Sequence, residues 1–172
     1  MADERNSGKA APRRRRWWLF SCCALVGLLL LLRGRFQVMI VAGESMQPTI
    51  VSGDLLILDK WAYRHAAPRR EDLVVARCRQ EFIVKRVVAL PGEQAEVKTG
   101  TLYINGISLQ ETHIIAGSTL DISEGRLLPG SFALLGDNRS YPVAVNVHAI
   151  VSRDKIIGKV LFVLRLGRHR HA

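Results

Sequence analysis

At 172 residues the chain has room for one domain of ordinary size, and a 48% share of hydrophobic residues excludes a disordered protein. Lys and Arg number 25 against 15 acids, a formal charge of +10 that directs attention to nucleic acid or to an anionic membrane surface. With 3 cysteines, a disulfide-framed secreted scaffold is excluded as well.

The cations are unevenly placed, and their placement favours the membrane. Residues 1–16 hold six of them (Arg5, Lys9, Arg13, Arg14, Arg15, Arg16) and two acids, +4 in all. The 16 residues that follow, 17–32, carry no charge. As a helix they measure roughly 24 Å, short of a ~30 Å hydrocarbon core. Arg33 and Arg35 can snorkel to the far headgroups, and Trp17 and Trp18 stand where an interfacial aromatic belt belongs. A cleaved secretory signal has the same basic-then-apolar layout. The run is followed by Arg33-Gly34-Arg35-Phe36, however, with no small-x-small cleavage site. Four arginines before the run outweigh two after it, so the N-terminus is expected on the cytoplasmic side. The expected organisation is a basic tail at 1–16, a transmembrane anchor at 17–33, an extracytoplasmic domain at 36–167 and a basic tail at 168–172. The tail charge is thereby explained by topology, and no nucleic-acid partner is expected. Cys22 and Cys23 are expected to face lipid or to carry palmitate.

Beyond residue 36 no helical period persists. Short β-rich runs at 37–42, 55–58, 73–78, 82–90, 101–104, 107–109 and 131–135 are separated by turn signals, and 155–166 contains a last strand. Arg79-Gln80-Glu81 joins two of these runs as a hairpin. Asn105-Gly106 joins two others and is the strongest short hairpin signal. The fold class expected is mainly β, antiparallel sheets with one N-terminal helix. The stretch 110–130 is polar and is expected to be a long excursion or flap.

Two residues stand out chemically. Ser45 follows a predicted strand in Gly43-Glu44-Ser45-Met46-Gln47-Pro48-Thr49, where Gly and Pro hold a non-helical loop. Taken alone it is either a nucleophile or a solvated turn serine. Lys85 alternates with Ile83, Val87 and Ala89 along one strand face, so it lies in an apolar row. Burial there lowers its pKa and makes it a candidate general base; an edge lysine that deters aggregation fits the same row. None of His65, His113, His148, His169 and His171 has an acidic partner at motif spacing, and no metal or cofactor is expected. Cys78 shares a face with Val74 and Ala76 and is expected to be a core thiol.

Four motifs, in order, resemble the boxes of bacterial type I signal peptidases: Ser45-Met46-x-Pro48-Thr49; Gly53-Asp54; Lys85-Arg86-Val87-Val88-x-x-Pro91-Gly92-Glu93; and Gly136-Asp137-Asn138-Arg139. The resemblance covers about 15–165. It implies a membrane-anchored Ser–Lys endopeptidase with a β fold, on the extracytoplasmic face of the bacterial inner membrane; a monomer is expected. Signal peptides of exported preproteins would be cut after small residues. Ser45 would be the nucleophile, Lys85 the base and the Ser45 N–H one oxyanion donor. Gly43 takes the place where some relatives carry a second, hydroxyl donor. Met46 would pack beneath the site, with Pro48, Arg86, Gly136, Asp137, Asn138 and Arg139 in support. One departure stands out. The family continues with Ser-x-Asp-Ser-Arg, whereas this chain has Pro142, Ala144, Val145 and Asn146 at those positions, and Ser140 is the nearest remaining hydroxyl, two positions early. A catalytically weak or inactive paralogue, acting as a membrane-anchored peptide-binding scaffold, is the alternative this departure raises. A self-cleaving repressor shares the Ser–Lys chemistry but needs a DNA-binding helix-turn-helix where this chain has its apolar run.

Overall fold

The computed structural model describes residues 13–114, 122–140 and 148–165. The departed positions 142–146 and the C-terminal basic tail lie outside the described residues. The chain divides into two units, Met1–Arg35 and Phe36–Ala172. In the first, α1 spans Arg13–Arg35 and contains the helix expected at 17–33. Its run of leucines has high helix propensity and contains no proline. Leu25 and the leucines at 28–32 are exposed. Among the described residues no helix is long and apolar enough to cross a membrane.

The second unit is built of strands: β1 (Phe36–Ile40), β2 (Leu55–Asp59), β3 (Leu73–Cys78), β4 (Glu81–Ala89), β5 (Gln94–Lys98), β6 (Thr101–Ile104), β7 (Ile107–Ser108), β8 (Ile122–Arg126), β9 (Ser131–Leu135), β10 (His148–Ser152) and β11 (Ile156–Leu164). A seven-stranded sheet runs β1-β2-β11-β3-β4-β9-β10 and a four-stranded sheet β7-β6-β5-β8. The pairings are antiparallel, as the turn-punctuated pattern implies. Asn105 and Gly106 take φ of 52° and 81°, the double positive-φ turn that matches strand twist in a two-residue hairpin.

Three strands depart from expectation. β5 has the sequence QAEVK, in which only Ala95 and Val97 turn inward between polar or charged neighbours, a weak β signal. β8 lies inside the stretch expected to be an excursion; its pairing with β5 supplies what its polar sequence lacks. β10 pairs with β9 and buries Ala149 and Val151. A further correction concerns β4. The register shifts between Val87 and Ala89, so Val88 and Ala89 both enter one core cluster, with Val97, Leu102 and Leu135. Strict alternation therefore holds only as far as Val87, which packs with Val74, Phe132 and Leu134. Cys78 packs against that same cluster.

The third core cluster lies under the Ser45 loop, where Met46 and Ile50 pack on Leu56, Leu58, Val75 and Val160. β11 approaches β2 closely at Gly158. A Cβ there would sit 2.7 Å from the Asp59 carbonyl oxygen and 3.1 Å from its carbon. Neither strand can give way without breaking its ladder. Gly158→Ala is accordingly expected to cost about 1–3 kcal/mol, read as a lower urea midpoint at unchanged m-value.

Two features of the large sheet bear on function. β9 pairs with β4 only from Arg86 onward. The half of β4 at 81–85 pairs with β3 on one side and, among the described residues, with no strand on the other. Second, Val38, Ile57 and Phe162 are in register across β1, β2 and β11, as are Ile40, Leu55 and Leu164. Side-chain alternation puts these six on one face, where Val38, Ile40, Phe162 and Leu164 are exposed.

Candidate functional site

The loop carrying Ser45 is closed at its base and pinned from below. Val41 N–H donates to Asp54 O at 3.0 Å, and Gly53 N–H returns to Val41 O at 2.9 Å. The Asp54 carboxylate accepts Val51 N–H at 2.9 Å, which explains Gly53-Asp54 as a loop-closing pair. Gln47 N–H to Glu44 O and Ile50 N–H to Met46 O complete a tight turn around Ser45. Met46 is buried beneath it. Burying a methionine contributes about 1.5–3 kcal/mol, enough to hold a short loop in one position. Pro48 follows a cis peptide bond, and Gly43 has φ +112°.

Lys85 is 2% exposed, on the half of β4 whose outer edge pairs with no strand among the described residues. Its Nζ donates a hydrogen bond to Ser45 Oγ. Burial pushes its pKa down from 10.5 to about 8, with the Asp137 carboxylate acting the other way. A hydroxyl in contact with an amine that loses its charge near pH 8 can pass its proton to that amine. An ordinary exposed lysine at neutral pH is protonated and cannot accept one.

The turn after β9 ties both residues to one support. Asn138 N–H donates to Ser45 O at 3.1 Å, and its side-chain amide to Glu44 O at 3.1 Å. Asp137, fully buried, takes Arg86 in a two-pronged pair, 2.9 Å from Nε and 2.7 Å from Nη2. Thr49 Oγ1 donates to the same carboxylate at 2.5 Å. Asp137 thus bridges the strand of Lys85 and the loop of Ser45. Ser140, the nearest hydroxyl by sequence, donates to Asn138 Oδ1 at 2.7 Å and so serves the turn.

Among the described residues Arg139 is the largest fully buried side chain. It donates to Gly136 O at 2.8 Å, to Gly100 O at 3.3 Å and to Glu111 Oε1 at 2.6 Å. Burial pushes the Glu111 carboxyl up, with Arg139 opposing. Glu111 and His113 were not singled out by motif, because their partners are distant in sequence. His113 Nε2 lies 3.6 Å from Glu71, 3.8 Å from Asp137 and 4.0 Å from Glu111, and it is buried without a hydrogen bond among the described residues. Only the charge of Glu111, set in a short polar segment after a strand, is visible beforehand.

A cleft of about 200 Å³ opens over Ser45 and Lys85. On one side it is lined by the free edge of β4 from Glu81 to Val84, and on the other by the segment from Met39 to Glu44. Among the described residues no cluster of His, Cys, Asp or Glu has the arrangement to hold a metal ion.

A family model described as "Signal peptidase, peptidase S26" matches residues 14–165. A protein named "Signal peptidase I" from Bacillus caldolyticus is 36% identical over 138 residues, covering 72% of this chain and 76% of that one. A "Probable signal peptidase I-2" from a Synechocystis species is 30% identical over 127 residues. That match covers 69% of this chain but only 58% of the relative, less than two thirds of its length. Among solved structures, a signal peptidase I from Enterococcus faecalis V583 matches with a TM-score of 0.46 and 27% identity, over 55% of this chain and 97% of that one.

Proposed function

The chain belongs to the signal peptidase family, peptidase S26, and from that premise we propose that it is a membrane-bound serine endopeptidase that removes signal peptides from exported preproteins. The single observation that carries the reading is the contact between Ser45 Oγ and a buried Lys85 whose pKa lies far below that of a free lysine.

In this reading Ser45 attacks the scissile carbonyl while neutral Lys85 takes the hydroxyl proton onto Nζ. The proton then passes to the leaving amine, which departs as the new N-terminus of the mature protein. Water, deprotonated in turn by Lys85, hydrolyses the acyl-enzyme. Among the described residues no hydrogen bond takes the N–H of Ser45, and this group serves as an oxyanion donor. Substrate adds as a strand along the free edge of β4 at 81–85, with its reactive carbonyl over Ser45. A strand repeats every two residues, so residues −1 and −3 point the same way into a cleft of only about 200 Å³, which selects small side chains.

Membrane attachment rests on the uncharged run at 17–32 behind Arg13–Arg16, and on the exposed apolar face of β1, β2 and β11. Both suit a lipid surface, and by the positive-inside rule the arginines support an extracytoplasmic domain. No cofactor takes part.

The test is to incubate the full chain, purified in detergent, with a preprotein and to sequence the new N-terminus. A mature fragment starting after a small residue is expected. Its rate should rise with pH through a midpoint of about 8 and be indifferent to chelators and thiol reagents. Binding of the preprotein without cleavage would favour the peptide-binding scaffold raised by the substitutions at 142–146; loss of cleavage with a chelator would overturn the lysine mechanism. In intact cells, protease added outside should digest the domain beyond Phe36 and spare Arg13–Arg16.

A further inference from the structure

The family pattern used above includes an Asp and an Arg after the Gly-Asp-Asn-Arg box, at positions occupied here by Ala144 and Asn146. The support they would lend must come from elsewhere or be absent. The described residues contain a buried ion pair that reaches the same turn from the second sheet. Arg139 leaves the turn, crosses to the β5–β6 corner at Gly100 and ends on Glu111, just past β7. The two side chains are 1% and 3% exposed.

We infer that Glu111 is a positioning residue for the Ser45–Lys85 pair, acting through Arg139; the inference rests on the peptidase reading above. The path is short. Glu111 fixes the Arg139 guanidinium, whose Nε–H donates to Gly136 O and so closes the turn on itself. The next two residues of that turn hold the dyad from both sides. Asp137 grips Arg86, the neighbour of Lys85, together with Thr49 of the nucleophile loop. Asn138 holds the backbone of Glu44 and Ser45. Without the carboxylate, the guanidinium is left in the protein interior with two backbone carbonyls and, among the described residues, no ion-pair partner, and it must move or draw in water. Either displaces the turn, and a displacement of about 1 Å at a reacting pair lowers turnover on the order of a hundredfold.

A role confined to stability predicts something different, and the experiment separates the two. Three full-length proteins are compared: the natural chain, Glu111→Gln, and Glu111→Leu with Arg139→Met. The last removes both charges together, an exchange that buried ion pairs commonly tolerate without loss of stability. Melting temperature, kcat and KM for preprotein cleavage are measured. So is the pH dependence with which Lys85 reacts with an amine-acylating reagent, located by mass spectrometry. Glu111→Gln is expected to lower kcat by about tenfold or more with KM within about twofold. The midpoint for Lys85 labelling should move up from about 8 towards 10.5 as water reaches the site. The apolar pair should melt near the natural chain and still show low kcat and a raised labelling midpoint.

If the apolar pair recovers natural kcat along with natural stability, the ion pair is structural only and the inference is overturned. An unchanged kcat and labelling midpoint in Glu111→Gln overturns it too. Should Glu111→Gln fail to fold, the apolar pair decides by the same criteria. If the natural chain cleaves no preprotein, it is the peptidase reading that has failed; the labelling midpoints then decide the inference, a raised midpoint supporting it and an unmoved one refuting it.

Discussion

Lys85→Met is expected to abolish cleavage and, at pH 7, to make the protein more stable. The two effects have one cause. Lys85 is buried, and its pKa falls from 10.5 to about 8 on folding. Between those values the unfolded chain binds more protons than the folded one, so the contribution of Lys85 to stability rises with pH through this window. Below about pH 8 the folded state carries the full penalty of the shift. A shift of this size corresponds to roughly 3 kcal/mol, at about 1.36 kcal/mol per unit. Methionine fills similar space with nothing to desolvate. The variant is expected to melt roughly 10 °C above the natural chain at pH 7 and to lose most of that lead by pH 10.5. Its kcat should fall by about ten-thousandfold or more. Ser45→Ala should be as inactive at nearly unchanged stability, and the double variant no worse than either, because the two groups act as a unit. Paired measurements of melting and turnover against pH check all of this. Lys85→Met being no more stable at pH 7 would remove the desolvated lysine from the argument; substantial cleavage by Ser45→Ala would remove the nucleophile.

How much of this was legible beforehand follows from what kind of interaction each feature uses. A strand with alternating apolar residues, such as β6, and a short continuous apolar run, such as the Leu73–Ala76 part of β3, are readable because local pattern and flanking turns specify them. β5 and β8 are not: alanine, glutamate, serine and glycine form strands there because a neighbouring strand offers its hydrogen bonds. The bulge in β4 after Val87 likewise has no local signal. Its consequence is large, since it turns both Val88 and Ala89 into the second sheet's core; 81–85 stays clear of β9 for a different reason, that β9 ends at Leu135 opposite Arg86.

At the site, Ser45 and Lys85 are 40 residues apart, and only the motif resemblance joins them in sequence. The roles of the other motif residues become physical only in three dimensions. Gly53-Asp54 closes the nucleophile loop, Glu93 accepts Leu90 N–H at 2.7 Å to fix its turn, and Asn138 clamps Ser45. Glu111 escaped notice, and His113 was set aside with the other histidines, because nothing local distinguishes a carboxylate or imidazole that will be buried beside distant charges. The packing of the second sheet brings them there. A histidine with no acidic neighbour at motif spacing thus ends within 4.0 Å of three carboxylates.

Asp137→Asn is expected to be the most damaging single change outside the dyad. The Arg86 guanidinium would be left with the Glu71 carboxylate, 3.6 Å away and about half exposed, and the longer-range charge of Glu111 as counter-charges. Breaking a buried pair from one side costs about 3–5 kcal/mol, a fall of roughly 10–20 °C in melting temperature for a domain of this size. Thr49→Ala, which removes one hydrogen bond to the same carboxylate, should cost only about 1–2 kcal/mol. The Asp137 charge also raises the pKa of Lys85 against the dominant effect of burial. In Asp137→Asn molecules that remain folded, the pH–rate midpoint should therefore move below about 8, even as the maximal rate falls through loss of the brace between Arg86 and Thr49. Glu111→Gln is expected to move it the opposite way, since there the charge near Lys85 is kept and water is admitted. Opposite shifts from two neutralised carboxylates would separate direct electrostatics from positioning. A midpoint that stays at about 8 in Asp137→Asn would mean that the Asp137 charge does not reach Lys85, leaving Asp137 as a brace for Arg86 and Thr49 alone.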